Sequence, residues 1–207
     1  IRTALCLILA AALLAGCTLL PSESEPEASS PADPLTGHPL EWPGQRPVAV
    51  TIENSTASAT QWGISSASVV LEALTEAGMP TELCLVYPAL AATPKVGPVA
   101  AGQDIYWRLL VGQQPLPVQR GGGQFDQNYL DYYSIRAVDA LEAGRTAFDC
   151  GSEWSNAPLW YTSGSAISKV LDALSISAAL TESRVTSAAS AAAASASSER
   201  RSESVRI

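Results

Sequence analysis

Ten consecutive apolar residues, Ala4 to Leu13 (ALCLILAAAL), stand near the start of the chain behind a lone Arg2. A helix needs about twenty such residues to cross a hydrocarbon core of roughly 30 Å, so this run is too short to span. It has the length of the apolar region of a secretory signal. The run also exposes how unevenly the 207 residues are composed. Pro21 to Pro34 (PSESEPEASSPADP) is built on Pro, Ser and Glu and holds no large apolar side chain. Such a segment buries too little surface to offset its ordering entropy, so disorder is expected. Beyond Leu174 the chain is rich in Ala, Ser, Arg and Glu, with no aromatic residue and no apolar period. Alanine favours helix, but nothing lets such a helix bury a face, and this tail is expected to be disordered too. Only the middle reads as globular.

Directly after the apolar run come Leu14-Ala15-Gly16-Cys17 (LAGC). This resembles the bacterial lipobox, in which small residues precede a cysteine whose sulfur receives diacylglycerol before cleavage on its N-terminal side. The alternative is an uncleaved signal anchor in which Cys17 is incidental. The resemblance implies a mature protein that begins at Cys17, lies on the extracytoplasmic face of the cell membrane and is held to the lipid bilayer by acyl chains such as palmitate. Two chains anchor stably where one is marginal. The expected organisation is a signal peptide at 1–16, a lipidated Cys17 with a tether through 34, a folded domain at 35–176 and a tail at 177–207. At about 5–6 Å × √n, the tether sets the domain on the order of 30 Å from the lipid.

Between residues 35 and 174 thirteen Asp and Glu stand against seven Lys and Arg, a net charge of about −6. A nucleic-acid partner is excluded, because binding it calls for a basic stripe that releases counterions from phosphates. His38 is the single histidine and lies in the proline-rich lead-in. Catalysis by a Ser-His-Asp or Cys-His arrangement needs an imidazole, and His38 reads as an exposed linker residue. No zinc spacing is present and no cofactor or metal is expected. With Cys6 in the signal and Cys17 acylated, Cys84 and Cys150 remain. A disulfide between them and two buried free thiols are both compatible with the sequence.

The middle alternates strand and helix patterns. PVAVTIE (Pro47–Glu53) alternates apolar and polar residues and reads as a strand. Asn54 to Gly63 is a loop. VVLEALTE (Val69–Glu76) fits either period, Val70, Leu71 and Leu74 for a helix or Val69, Leu71 and Ala73 for a strand. The AGMP turn and TELCLVYP that follow favour a hairpin. PKVGPV is a turn leading into GQDIYWRLLVG, where Ile105 and Leu109 sit at helical spacing. PLPVQR is strand-like. QFDQNYLDYYS is helical with Phe125, Tyr129 and Tyr132 on one face, and SAISKVLDAL turns Ile167, Val170, Leu171 and Leu174 inward. The expected fold is an α/β or α+β sandwich, a mixed sheet with flanking helices in one compact domain.

Four of these segments, in this order and spacing, carry a resemblance: DPLTGHPLEWPGQRPVAVTIEN from Asp33, KVGPV from Lys95, GGGQFDQNYLDYYSIRAVDALEAG, and more weakly APLWYTS from Ala157. Over roughly residues 33 to 174 the chain resembles the YerB-like lipoprotein family of Gram-positive bacteria. The resemblance implies the same architecture of signal, lipid cysteine, polar tether and a domain of unknown function. Where the family pattern has Asp-Asn-His after Ile52, this chain has Glu53-Asn54-Ser55. Where the family has two arginines after Gly97-Pro98-Val99, this chain has Ala100 to Gln103. If those arginines bind an anion, the site here is lost or moved.

Candidate binding residues follow from chemistry. Arg120, Gly121, Gly122 and Gly123 run into a predicted helix that includes Asn128. The Gly-Lys-Ser/Thr of a phosphate-binding loop is missing, and the glycines lack Gly-x-Gly-x-x-Gly spacing. A docked carboxylate or phosphate at the helix start, helped by Arg120, remains open. So does a plain turn whose glycines supply positive φ and close packing, which is favoured. Glu53 and Asn54 end the first strand. Of five tryptophans, Trp107 reads as core, while Trp154, Trp160 and the adjacent Tyr161 are the better candidates for a binding surface, with packing and loop anchoring the favoured alternative. The expected function is a binding or accessory module at the cell envelope, its partner peptidoglycan or an envelope protein. The alternatives are a cell-wall-modifying hydrolase using carboxylates and a solute-binding lipoprotein.

Overall fold

Runs of β-branched and aromatic residues become the strands of a five-stranded mixed sheet in the computed structural model of the chain, which describes residues 31–55, 60–74, 82–150 and 160–180. Three strands, β1 (Val48–Glu53), β2 (Val69–Glu72) and β3 (Glu82–Tyr87), pair antiparallel. β4 (Leu116–Gln119) and β5 (Val138–Asp139) extend the sheet in parallel from β1, giving the order β2-β3-β1-β4-β5. β6 (Asp149–Cys150) and β7 (Trp160–Tyr161) form a separate two-stranded ribbon. Cys17, Trp154, the apolar run and the tail beyond residue 180 lie outside the described residues.

The ambiguous VVLEALTE segment resolves as the edge strand of a hairpin. Val69 and Leu71 are half-buried while Val70 and Glu72 face out, the period of two that a one-sided strand requires. β1 differs from its expected alternation, because five of its six residues are buried. Val48, Val50 and Ile52 face one side of the sheet, and Ala49 faces the other. A central strand covered on both faces reads as a continuous apolar run. Its one polar interior residue, Thr51, donates its hydroxyl to the Ala100 carbonyl at 3.0 Å.

Helices α1 (Asp104–Leu110) and α2 (Gln124–Tyr132) cover the Ala49 face through Tyr106, Trp107, Leu110, Tyr129 and Leu130. Two single turns follow, α3 (Ala140–Ala143) and α4 (Gly164–Ile167). The opposite face is covered by Ile167, Val170, Leu171, Leu174 and Ile176, the inward set expected of SAISKVLDAL. That segment is helical only as far as Ile167 and continues as successive turns, yet the same residues stay inside.

The face expected of α2 needs correction, and α1 likewise turns apolar residues outward. Ile105 and Leu109 point outward, as do Phe125 and Tyr132, the latter two 74% and 81% exposed. The buried stripe of α2 runs through Asp126, Tyr129 and Leu130. A polar residue at the head of that stripe shifts the apolar period by one position, so an apolar count selects the wrong neighbours.

Cys84 is buried, Cys150 is half-buried, and both thiols are free. His38 is exposed. Among the described residues no group of His, Cys, Asp and Glu is placed to hold a metal ion. No described helix is long and apolar enough to cross a membrane.

Candidate functional site

The glycine turn joins β4 to α2. Gly121 takes φ +67°, and its N–H donates to both carboxylate oxygens of Asp139 at 2.9 and 3.0 Å. Asp139 also accepts from Leu141 N–H at 2.8 Å, so one side chain pins the turn and caps α3. Asp126, third residue of α2, folds its carboxylate back beneath Gly122, where a Cβ would overlap it. Trp107 Nε1 donates to one oxygen of Asp126 at 2.6 Å and Gln119 Nε2 to the other at 2.9 Å. Asp126 is 2% exposed, and burial raises its pKa while these two hydrogen bonds oppose the rise. A carboxylate at a helix N-terminus is favoured by the helix dipole. Here the first turn of α2 carries its own acid, Asp126.

From the sequence Trp107 reads as core and Asp126 as one of several scattered carboxylates, and their meeting with Gln119 and Asp139 in one network is not foreseen. Its members lie up to 32 positions apart, and nothing in their spacing announces that they meet. Gln119 Oε1 is buried against Gly102 without a hydrogen-bond partner.

In open α/β sheets, ligands bind in the crevice beyond the carboxyl ends of neighbouring parallel strands. Glu53 and Asn54 stand at one such end and Arg120 to Gly123 at the next. The segment 98–102 fills the space between them. Val99 bridges Ile52, Ala100 N–H donates to Thr51 O at 2.9 Å, Arg120 N–H donates to Ala100 O at 2.8 Å, and Gly102 bridges Gly122. The small residues at Ala100, Ala101 and Gly102 let this backbone wedge in. Glu53 and Asn54 make local contacts instead: Ser55 donates to Glu53 Oε1 at 2.7 Å, and Gln61 Nε2 reaches the Glu53 carbonyl and Asn54 Oδ1. Asn128 lies on the exposed flank of α2 and accepts from Gln124 Nε2 at 2.8 Å.

The aromatic surface is a different place. Trp160 and Tyr161 form β7, and Trp160 packs edge-on to Phe148 with ring centroids 6.4 Å apart. The stretch Val96–Val99 is held between Trp62 on one side and Trp160–Thr162 on the other by backbone hydrogen bonds of 2.7 to 3.2 Å. This fixes Lys95 with its Nζ 4.7 Å from the Trp62 ring centroid and 4.9 Å from that of Tyr161. Cation–π attraction holds the ammonium between two faces. Lys95 and Trp62 were not selected from the sequence as site residues, although PKVGPV marked the turn.

The fold is that of a YerB-like domain. The chain belongs to the family described as protein of unknown function (DUF3048), N-terminal domain, whose model matches residues 35–177. Among solved structures it is similar to the YerB protein from Bacillus subtilis, with 27% identity and a TM-score of 0.61. The match covers 72% of this chain and 51% of that one, so this chain spans about half the length of YerB. No curated protein matches the chain.

Proposed function

We propose that the protein is a lipid-anchored, extracytoplasmic module that binds a partner at the cell envelope. The observation that carries the placement is LAGC at residues 14–17, following an apolar run too short to span and preceding a Pro/Ser/Glu tether. Binding is favoured over turnover by the state of Asp126. It is a carboxyl of raised pKa, the kind a hydrolase uses as its acid. Yet its two oxygens already accept from Trp107 and Gln119, and the group is closed to solvent. The preorganised side chains are exposed Trp62 and Lys95 and half-buried Tyr161 instead, on the face that would meet peptidoglycan or an envelope protein.

Metabolic labelling with a palmitate analogue tests the anchor. The wild type carries the label and fractionates with membrane, whereas Cys17→Ser is unlabelled and is released from it. Label and membrane retention that survive Cys17→Ser would overturn the placement. Incubation with purified sacculi tests the hydrolase alternative, with no soluble fragments expected.

A further inference from the structure

Beside the Lys95 clamp lies a hollow of about 480 Å³. Its lining includes Lys95, Arg145, Lys169, Thr146, Ser163 and Tyr161. Three of the seven described cations of an acidic chain therefore converge on one hollow from three separate parts of the sequence. Asp149 is the single acid in the lining, which leaves an excess of two positive charges. No described carboxylate comes within ion-pair distance of these cations; the ion pair found is Asp104–Arg108, on α1. Three cations facing one acid in the lining leave a net repulsion, and their grouping costs stability unless a ligand neutralises it.

We propose that this hollow is a binding site for an oxyanion of more than one negative charge, a phosphate or a polycarboxylate group borne by an envelope component. The assignment rests on the binding reading above and gives that reading a ligand chemistry. Lys95 enters the site already oriented, because Trp62 and Tyr161 hold its ammonium between two ring faces. Arg145 contributes a planar fork suited to paired oxygens, and Lys169 a point charge. Tyr161 in the lining and Trp62, 47% exposed and set against the Lys95 ammonium, offer apolar surface to whatever carries the anion. The wall is firm where it matters: Thr162 donates its hydroxyl to Ala147 O at 2.7 Å, joining β7 to the turn that bears Arg145.

The test titrates the full chain carrying Cys17→Ser with inorganic phosphate in one arm and tricarballylate in the other, reading NMR shifts of Tyr161, Thr162 and Ser163. Saturable shifts at these residues are expected, with Kd on the order of 1 mM for such small probes. Arg145→Glu with Lys169→Glu reverses two exposed charges and should weaken binding about tenfold or more, with a thermal midpoint that does not fall. Lys95→Met keeps the stem between the rings and removes the ammonium, and should weaken it as well. Arg136→Glu reverses an exposed cation elsewhere and should leave Kd unchanged. Preference for one arm identifies the oxyanion class. Absence of saturable shifts in both arms, or equal losses in Arg136→Glu and the double variant, overturns the site. Either result leaves the Cys17 anchor standing, and loss of the anchor leaves this site standing.

Discussion

Each of the three adjacent glycines answers to a different demand. Gly121 sits at φ +67°, where an L side chain is strained. Gly122 gives its space to the Asp126 carboxylate. Gly123, the residue capping α2, has ordinary extended geometry and open space where a Cβ would stand. Urea unfolding should separate them. Gly122→Ala should cost about 1–3 kcal/mol by overpacking, whereas Gly123→Ser should be neutral or stabilise by a few tenths of a kcal/mol as a helix cap. Equal costs at both positions would show that the turn does not rest on Asp126.

Asp126 carries a pH signature. Burial raises its folded-state pKa above the ordinary 3.8, against the opposing hydrogen bonds from Trp107 and Gln119. For a carboxyl raised in this way, the contribution to stability is full below the unfolded value and is lost as pH rises through the folded value. The stability of the wild type relative to Asp126→Asn should therefore fall as pH rises above about 3.8, the ordinary value. Chemical denaturation of both proteins at intervals from pH 4 to 7 measures the difference. A flat difference, or one that grows with pH, contradicts the assignment.

Among the elements, strands were the more legible. PVAVTIE and TELCLVYP are β-prone runs bounded by proline, and they became β1 and β3 where expected. The mixed sheet with flanking helices followed from their interleaving with helical patterns. The helix faces were not legible in the same way, because the buried stripe of α2 includes Asp126 and apolar counting cannot see a buried acid. The site was less legible still. Hydrophobic period finds faces, whereas the Lys95 clamp depends on backbone pairing of Val96–Val99 with Trp62 and with Trp160–Thr162, contacts that span up to 66 residues. The corrected faces predict an asymmetry. Leu109→Ser and Phe125→Ser, at exposed positions, should change stability by about 0.5 kcal/mol or less. Leu130→Ala, in the inward stripe, should cost about 2–5 kcal/mol. Thermal and urea midpoints of the three variants decide whether the stripe runs as described.

At the scale of the molecule, the start and end of the described domain close on each other through Arg46. Its backbone N–H donates to Ala178 O at 2.8 Å, Gln45 bridges Ala179, and Leu180 N–H donates to Gly44 O at 2.8 Å. This ladder runs four residues into the tail expected at 177–207. The guanidinium adds three bonds in three directions: Nε to Gln114 O at 2.9 Å, one terminal nitrogen to Ser177 O at 2.8 Å, and the other to Pro115 O at 2.5 Å. One planar fork thus ties the lead-in to β1, the approach to β4 and the C-terminal segment. A lysine keeps the charge but has no fork to reach three fixed carbonyls. With hydrogen bonds to charged groups contributing about 1.5–3 kcal/mol each, lysine able to retain one, and the bond to Ser177 O exposed to solvent and worth little, Arg46→Lys should cost about 1.5–3 kcal/mol. The expected result is a lower urea midpoint with an unchanged slope, together with faster amide exchange at Arg46 and Leu180. An unchanged midpoint with unchanged exchange would mean that the ladder of Gly44–Arg46 with Ala178–Leu180 holds the two ends without the guanidinium.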